Sequence, residues 1–287
     1  ANSEHYTRKT AQVQVLSGGA PMVSSIGRST DRQLLDKLLQ ASSDVAAKGI
    51  MLDALSQMSD LTGDPKDERS IAAALGQLQN RLRTYETNPT SGILARDVLE
   101  AARSVASKLN SSAAALNGLR GEADRSMSDA VDQINSLLAQ FKVVNDAVTR
   151  GQGSMSELAD TLDERDAILK NLAELIGIRT SVRANNDVVI FTESGAVLFE
   201  TKPRRVDFSM TTPLLHTIAG SAVLIDGIPV TGEGATMPIT RGTLGGLATI
   251  RDRTTPQLSR QLDQIAAGLI QGFAEREQMV PSTLPDV

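Results

Sequence analysis

The feature that most constrains this chain is a stretch without proline, from about Ile93 to Arg150, in which apolar residues follow a heptad pattern. Its first and fourth heptad places hold Val98, Ala102, Val105, Leu109, Leu116, Leu119 and Ala123 and, after a local shift, Met127, Val131, Ile134, Leu138 and Phe141. Such a long repeat predicts a helix with a laterally buried, coiled-coil-like seam, and the shift resembles a stutter. Roughly 55 residues, at about 1.5 Å each, would make a rod of roughly 80 Å.

Two glycines, Gly118 and Gly121, lie inside this stretch. Each costs about 1 kcal/mol relative to Ala in a helix, so the pair could mark a break. The apolar residues Leu116, Leu119 and Ala123 nevertheless keep their phase across the glycines. We therefore predict one continuous helix.

Helical periodicity also precedes the long segment. A first helix is predicted from a capping box at Thr30 and Gln33 to a break at 63–65. Its predicted apolar face consists of Leu34, Leu38, Ala41, Val45, Leu52 and Leu55. A shorter predicted helix follows, with one apolar face of Ile71, Leu75, Leu78 and Leu82.

The glycines at 151–153 are predicted to turn the chain into a helix antiparallel to the long one. Ser154 and Glu157 fit a capping box at its start. Its predicted apolar face consists of Leu158, Leu162, Leu169, Leu172 and Ile176. The long helix and this returning helix would therefore form an antiparallel pair.

After Gly177 the apolar period falls to about two residues, which indicates strands. We predict strands at Ile178–Arg183, Asp187–Thr192, Ala196–Glu200, Leu214–Ile218, Ala222–Ile225 and Ile228–Val230. Turns between them are predicted at Asn185-Asn186, Ser194-Gly195 and Asp226-Gly227.

A last helix is predicted to begin at Thr255-Pro256, with Pro at its first helical position. The predicted fold is α+β and multidomain: an elongated antiparallel coiled-coil-like helical bundle with a small inserted antiparallel β domain. The helical rod domain would comprise residues 1–177 and 241–280, and the β domain residues 178–240. Residues 281–287 are expected to be a frayed end.

The amino-acid composition argues against several classes of function. Aromatic residues, which dominate many compact cores and ligand pockets, make up 2% of the chain, so elongated apolar seams are favoured. The net charge is −5 without a basic block, which argues against binding to nucleic acid. Cysteine is absent, which removes disulfides and thiol catalysis. No apolar run approaches the roughly 20 residues of a membrane span.

Few residues indicate a metal-binding or phosphate-binding site. The histidines His5 and His216 offer no zinc-binding spacing, and His216 is predicted to lie on the surface of a strand. The glycine-rich segment 242–246 is predicted to be a tight turn rather than a phosphate loop, and 151–154 a connector that lacks the lysine of such a loop.

The charged clusters are also explained more simply as surface features than as a functional site. The acidic group Asp60, Asp64, Asp67 and Glu68 lacks the spacing of an EF-hand. Residues 163–166 are predicted to be a solvated helix face, and Arg204-Arg205 a surface turn offset by flanking acids. We predict no enzyme activity and no catalytic, cofactor-binding or metal-binding residues.

Three short segments carry a family resemblance. Residues 2–9 (NSEHYTRK) look like the end of the N-terminal motif of flagellar axial proteins, with His5 where that motif has Gly. Residues 162–169 (LDERDAIL), running into Leu172 and 176–178, are similar to an LxDQRD segment, and residues 242–247 (GTLGGL) with Arg251 to a G-x-LGG-L element. In this order the segments resemble the FlgK family of flagellar hook-filament junction proteins.

The resemblance implies a structural subunit that polymerises between hook and filament, without a cofactor. The implied partners are the flagellar hook protein, the second hook-filament junction protein, other copies of the full-length protein and a flagellar export chaperone. The implied location is extracellular, in the bacterial flagellum, after export through the flagellar secretion apparatus. The resemblance also implies that this chain lacks terminal axial helices and by itself stays monomeric.

Two alternatives stay open from the sequence. Another flagellar axial protein, such as the second junction protein or a flagellin, would share the YTR motif and the helical rods, so residues 162–166 and 242–246 make the distinction. A coiled-coil signalling or adaptor scaffold, from a different class, would form a stable dimer and leave the YTR motif unexplained.

Overall fold

The computed structural model describes residues 9–15, 21–28, 32–63, 70–151, 155–212, 214 and 217–274. A hairpin of β1 (Lys9–Val15) and β2 (Pro21–Arg28), which the sequence did not predict, comes first. The next elements are the helices α1 (Arg32–Thr62), α2 (Ile71–Thr87), α3 (Gly92–Arg150) and α4 (Met155–Leu175). None of the described helices combines the length and apolar character needed to cross a membrane.

The long helix α3 confirms the central prediction. It continues through Gly118 and Gly121 without interruption. Most of the predicted heptad residues are buried: Val105, Leu109, Leu116, Ala123, Met127, Val131, Ile134, Leu138 and Phe141. Because most helical stability in proteins comes from packing of one face, this buried face is what keeps so long a helix intact.

Helix α1 buries the side opposite to the one predicted. Leu34, Leu38, Val45, Leu52 and Leu55 of the predicted face are all exposed. The buried side consists of Leu39, Ser43, Ala47, Ala54 and Met58. Its small residues permit close approach, since a Cβ added at Gly246 would lie 2.9 Å from the carbonyl oxygen of Ala47. The prediction was wrong because it followed the largest apolar side chains, whereas close backbone contact selects small ones.

Helix α4 returns antiparallel to α3, as predicted. Near the turn, Arg165 of α4 reaches Asn145 of α3. Farther from the turn, Asn171 of α4 and Ser136 of α3 line the same groove. Leu169, Leu172 and Ile176 of the predicted face are buried. The predicted capping residue Ser154 lies outside the described residues.

Two three-stranded antiparallel sheets follow α4. The first contains β3 (Ile178–Val182), β4 (Val188–Thr192) and β5 (Val197–Phe199). The second contains β6 (Val206–Asp207), β7 (Leu224–Ile225) and β8 (Ile228–Pro229). The predicted turns are confirmed by positive φ at Asn185, Asn186, Gly195, Asp226 and Gly227. The strand predicted at 214–218 is wrong for its described residues, and β6 was not predicted.

The last helix begins earlier than predicted. Helix α5 (Gly242–Thr249) leads into a π-helical segment (Ile250–Thr254) and then into α6 (Thr255–Phe273). The predicted tight turn at 242–246 is therefore wrong. Its glycines allow close contact instead: Gly242 has a φ of 72°, and a Cβ there would lie 2.6 Å from the backbone nitrogen of Ile176.

The chain divides into two compact units, Ala1–Asp60 with Leu116–Pro256 and Leu61–Ala115 with Gln257–Val287. The first unit contains α4, α5 and the two three-stranded sheets, and the second contains α2. Within the first unit, the Phe141 ring of α3 meets the Phe199 ring of β5 edge to face, with 4.9 Å between centroids. The first sheet and α3 thus share one core.

The variant Leu138→Asp should lose several kcal/mol of stability, because it places a charge on a position of α3 that is 0% exposed. A melting temperature lower by roughly 10 °C is expected from circular dichroism. Val143→Asp on the same helix, where the side chain is 67% exposed, is the matched control and should change little. Equal melting curves for the two variants would contradict the register.

Candidate functional site

Polar side chains interrupt the buried face of α3, and four of them bind segments outside the helix. Arg120, Asp124 and Asn145 are buried, and Asn135 is half-buried. All four hydrogen-bond to segments outside α3, in the sheets, the loops or the last helix. A buried polar group is costly unless it has a partner, so these positions fix where the other segments meet the helix. We call the four residues the polar ladder.

At one end of the polar ladder lies the guanidinium of Arg251, whose side chain is 0% exposed. Its Nη1 donates to Asp124 Oδ1 at 2.6 Å, and Nε and Nη2 donate to the Asp252 carboxylate at 2.8 and 2.9 Å. Nη2 also donates to the Ser221 carbonyl at 2.8 Å. The Phe208 ring lies 5.5 Å from the guanidinium carbon, within cation–π range. This one side chain therefore joins α3 to the segment 208–221.

Arg120 joins the same cluster through backbone acceptors. Its Nε donates to the carbonyl of Arg251 at 2.8 Å, and its Nη2 donates to the carbonyl of Ile218 at 2.7 Å. Asp124 uses its second oxygen, Oδ2, to accept from the Thr211 N–H at 2.8 Å. With Asp252, the two cations and two anions form a cluster without net charge.

The two guanidinium groups respond differently to burial. Burial lowers the pKa of Arg120, and the positive charge of Arg251 adds to that effect against the two carboxylates. Burial also acts to lower the pKa of Arg251, but hydrogen bonds and charge from Asp252 and Asp124 outweigh it, so this pKa lies above its ordinary value. Arginine keeps its proton in proteins, so the cluster is a lasting ion network.

Asn135 holds the second sheet. Its Nδ2 donates to the carbonyl of Val206 at 2.8 Å, and its Oδ1 accepts from the N–H of the same residue at 3.1 Å. The amide thus pairs with β6 as a neighbouring strand would. This pairing supports a strand of two residues, which is otherwise too short to persist.

Asn145 holds the first sheet. Its Nδ2 donates to Asp187 Oδ1 at 2.7 Å, and its Oδ1 accepts from the Val188 N–H at 3.2 Å and from Arg165 Nη1 at 3.4 Å. The same Nη1 donates to the Asn186 carbonyl at 2.6 Å. The turn between β3 and β4 is therefore bound to both α3 and α4.

A separate polar contact lies at the start of the last helix. Glu193 follows β4, and its Oε1 accepts from the N–H groups of Thr240 and Arg241 at 2.5 and 3.1 Å and from the Thr240 hydroxyl at 2.9 Å. Arg241 Nε lies 3.1 Å from both Glu193 Oε2 and Asp44 Oδ1 of α1. The first sheet, α1 and the start of α5 are thereby joined.

Arg204 and Arg205 lie just before β6, and each is paired. Arg204 lies 3.5 Å from Glu200 and 3.1 Å from Asp226. Arg205 lies 2.6 Å from Asp207. The flanking acids thus neutralise this positive spot, as predicted.

These groups bind segments together, because their polar atoms already point at protein partners. Both oxygens of Asp124 accept hydrogen bonds from other segments. Among the described residues there is no group of three or more His, Asp or Glu that could hold a metal ion. His5, His216, Asp64, Asp67, Glu68 and the YTR motif lie outside the described residues.

Sequence reasoning missed the polar ladder. It also assigned Asp163 and Arg165 to a solvated helix face, and this was wrong, because both are buried. The available signal was a charged residue beside heptad core positions, as at Arg120 and Asp124. A charge in such a place persists only when a partner compensates it.

The variant Arg251→Met should lower the free energy of unfolding by roughly 3–5 kcal/mol, because it leaves Asp124 buried without its cation. Adding Asp124→Leu removes the remaining charge and should recover much of the loss. Urea unfolding measures both variants. Arg205→Met, at a side chain that is 82% exposed, is the control and should cost at most about 1 kcal/mol. A loss for Arg251→Met no larger than the control's would overturn the role of the cluster.

Glu200 should give a small pH effect. The hydrogen bond and charge of Arg183 hold the pKa of the Glu200 carboxyl below its ordinary value. Because the folded pKa is the lower one, this contribution is complete above the unfolded pKa of about 4.3 and is lost as the pH falls through the folded value. The stability difference between the natural chain and Glu200→Gln should shrink from about pH 6 to about pH 3 at low salt. A pH-independent difference would argue against the pairing.

Comparison with known proteins places this architecture in a family. The family model for the helical domain of flagellar hook-associated protein FlgK matches residues 55–279. Flagellar hook-associated protein 1 of Salmonella typhimurium strain LT2 is 22% identical over 261 residues, which cover 89% of this chain and 46% of that protein. The protein of the same name from Escherichia coli strain K12 is 21% identical over 261 residues, with 89% and 47% covered.

A solved structure shares the fold. The flagellar hook junction protein FlgK from Burkholderia pseudomallei matches 75% of this chain and 39% of its own, with a TM-score of 0.58 and 23% identity. This likeness confirms the predicted α+β class with strands inserted between helices. The chain spans about half the length of the curated relatives it matches, at 46% and 47%. Since the family model covers most of the chain, the chain belongs to the FlgK family of flagellar hook-associated proteins.

Proposed function

We propose that this chain is part of a structural subunit of the bacterial flagellum that forms the junction between hook and filament. The observation that carries the proposal is the family match over residues 55–279. The names of the similar proteins support it: hook-associated protein 1 in Salmonella typhimurium and hook junction protein in Burkholderia pseudomallei. The subunit is extracellular and reaches the flagellum through the flagellar secretion apparatus.

The geometry of α3 suits a structural role. A subunit between two polymers has to pass force from one to the other, which requires its parts to be held firmly together. Asn135 and Asn145 bind the two sheets to α3 through short hydrogen bonds, at 2.8 and 2.7 Å. Partly buried hydrogen bonds of this kind are stronger than exposed ones and resist displacement. We propose that residues 178–240 act as a β domain on the helical domain 1–177 and 241–280.

The proposed partners follow from this position. The full-length protein contacts the flagellar hook protein on one side and the second hook-filament junction protein on the other, and it associates with copies of itself. A flagellar export chaperone accompanies it before assembly. We propose that the protein is not an enzyme and binds neither a cofactor, a metal ion nor nucleic acid. Its proposed role is to hold the neighbouring flagellar proteins in position.

Deletion of the gene for the full-length protein should leave cells with hooks but without attached filaments, because a filament would have no junction to grow on. Electron microscopy of shed and attached appendages measures this directly, and motility in soft agar should be lost. Expression of the full-length gene from a plasmid is the control and should restore filaments. Attached filaments in the deletion strain would overturn the proposal.

A further inference from the structure

The helix α3 contains two backbone positions that weaken it without a packing reason. Gly118 and Gly121 stand about one turn apart inside the helix. A Cβ at either position would meet nothing beyond the helix within 4 Å. Glycine here loses helix stability relative to Ala and permits no closer contact in return. These glycines therefore mark a place where α3 can bend.

The last helix has a weak position of its own. In the segment Ile250–Thr254 the hydrogen bonding is π-helical, and the N–H of Thr255 bonds to the carbonyl of Ile250, five residues back. Pro256 follows, has no N–H to donate, and would clash with the carbonyl four residues earlier in a regular α-helix. Such π turns interrupt the regular ladder and often mark functional positions.

Arg120 connects the two weak positions. It lies between the two glycines in the sequence, and its Nε donates at 2.8 Å to the carbonyl of Arg251, inside the π-helical segment. In a regular α-helix that carbonyl would accept from Thr255, whose N–H here bonds to Ile250 instead. Asp124, one turn along α3, holds the Arg251 side chain at 2.6 Å. The same short stretch of α3 thus carries the glycines and holds the π turn.

The boundaries between the two compact units lie close to these positions in the sequence. The boundary between the two compact units crosses α3 between residues 115 and 116, and it crosses the last helix between residues 256 and 257. The first boundary lies just before Gly118, and the second directly follows Pro256. Weak helix positions and changes of packing unit therefore coincide in both helices.

We propose that Gly118–Gly121 in α3 and Ile250–Pro256 in the last helix are paired bending points, which Arg120, Asp124 and Arg251 hold in one conformation. While these hydrogen bonds are intact, neither helix bends at these points. When force or a bound neighbour breaks them, both helices bend at this level together. The paired bending points do not depend on the proposed function, since all of these contacts lie within this chain.

Amide hydrogen exchange on the full-length protein, read by mass spectrometry, tests the pairing. Arg120→Met keeps the apolar stem of the side chain and removes the hydrogen bonds to the carbonyls of Arg251 and Ile218. We expect exchange at least about tenfold faster in residues 114–124 and in residues 250–256, and unchanged exchange in residues 168–172 of α4. Faster exchange in one of the two segments alone, equally everywhere, or in neither would overturn the pairing.

Alanine at both glycines tests the bending point itself. Gly118→Ala with Gly121→Ala should slow exchange in residues 114–124 by about tenfold or more and reduce the response of that segment to Arg120→Met. Gly268→Ala with Gly272→Ala is the matched control, because these α6 glycines also have open space around a Cβ. The control pair should leave residues 114–124 unchanged. Equal effects of the two pairs would overturn the proposal.

Arg120→Lys covers the case in which Arg120→Met does not fold. Lysine keeps the positive charge but lacks the planar fork that reaches the carbonyls of Arg251 and Ile218 together. Faster exchange confined to residues 114–124 and 250–256 is again the expected result. Exchange like that of the natural chain would show that charge alone suffices and would overturn the role given to the two hydrogen bonds.

Discussion

The buried face of α3 is the constraint on which the first unit depends. Its apolar residues fix the rotation of the helix, and only with that rotation fixed do Arg120, Asp124, Asn135 and Asn145 point at the segments they bind. A shift of α3 by one residue would turn these polar groups away from their partners. The apolar seam sets the register, and the polar ladder uses that register to position the sheets.

The second sheet shows why the polar ladder is needed. Its strands are two residues long, from Val206–Asp207 to Ile228–Pro229, and strands of this length do not hold a sheet by themselves. The Asn135 side chain supplies two further hydrogen bonds to the backbone of Val206. Asp124 takes the N–H of Thr211 in the following loop. The irregular part of the β region contains little regular structure. Its order therefore depends on these hydrogen bonds to α3.

The sequence predicted correctly those features that depend on residues close together in the chain. The heptads of α3 and the turn pairs Asn185-Asn186 and Asp226-Gly227 were found, because periodicity and a preference for positive φ are visible in the residues themselves. The face of α1 was missed, since its small buried residues are chosen by a neighbour, Gly246, that is distant in sequence. The π-helical segment was missed because Pro256 is equally suited to beginning a helix, and the polar ladder because its partners lie roughly 40–130 residues away.

The two ends of the polar ladder differ in physical character. Toward the α3–α4 turn, the amides of Asn135 and Asn145 bind β6, the first residue of β4 and the turn before it, and the Phe141 ring packs against the Phe199 ring. Toward the glycines, charged groups bind a loop and a π turn through Arg251. A charged pair in a buried place depends on its geometry far more than a neutral amide, since separation leaves two charges uncompensated. On the proposal above, the charged end resists small displacements and gives way abruptly, so α3 would bend at the level of Gly118 and Gly121.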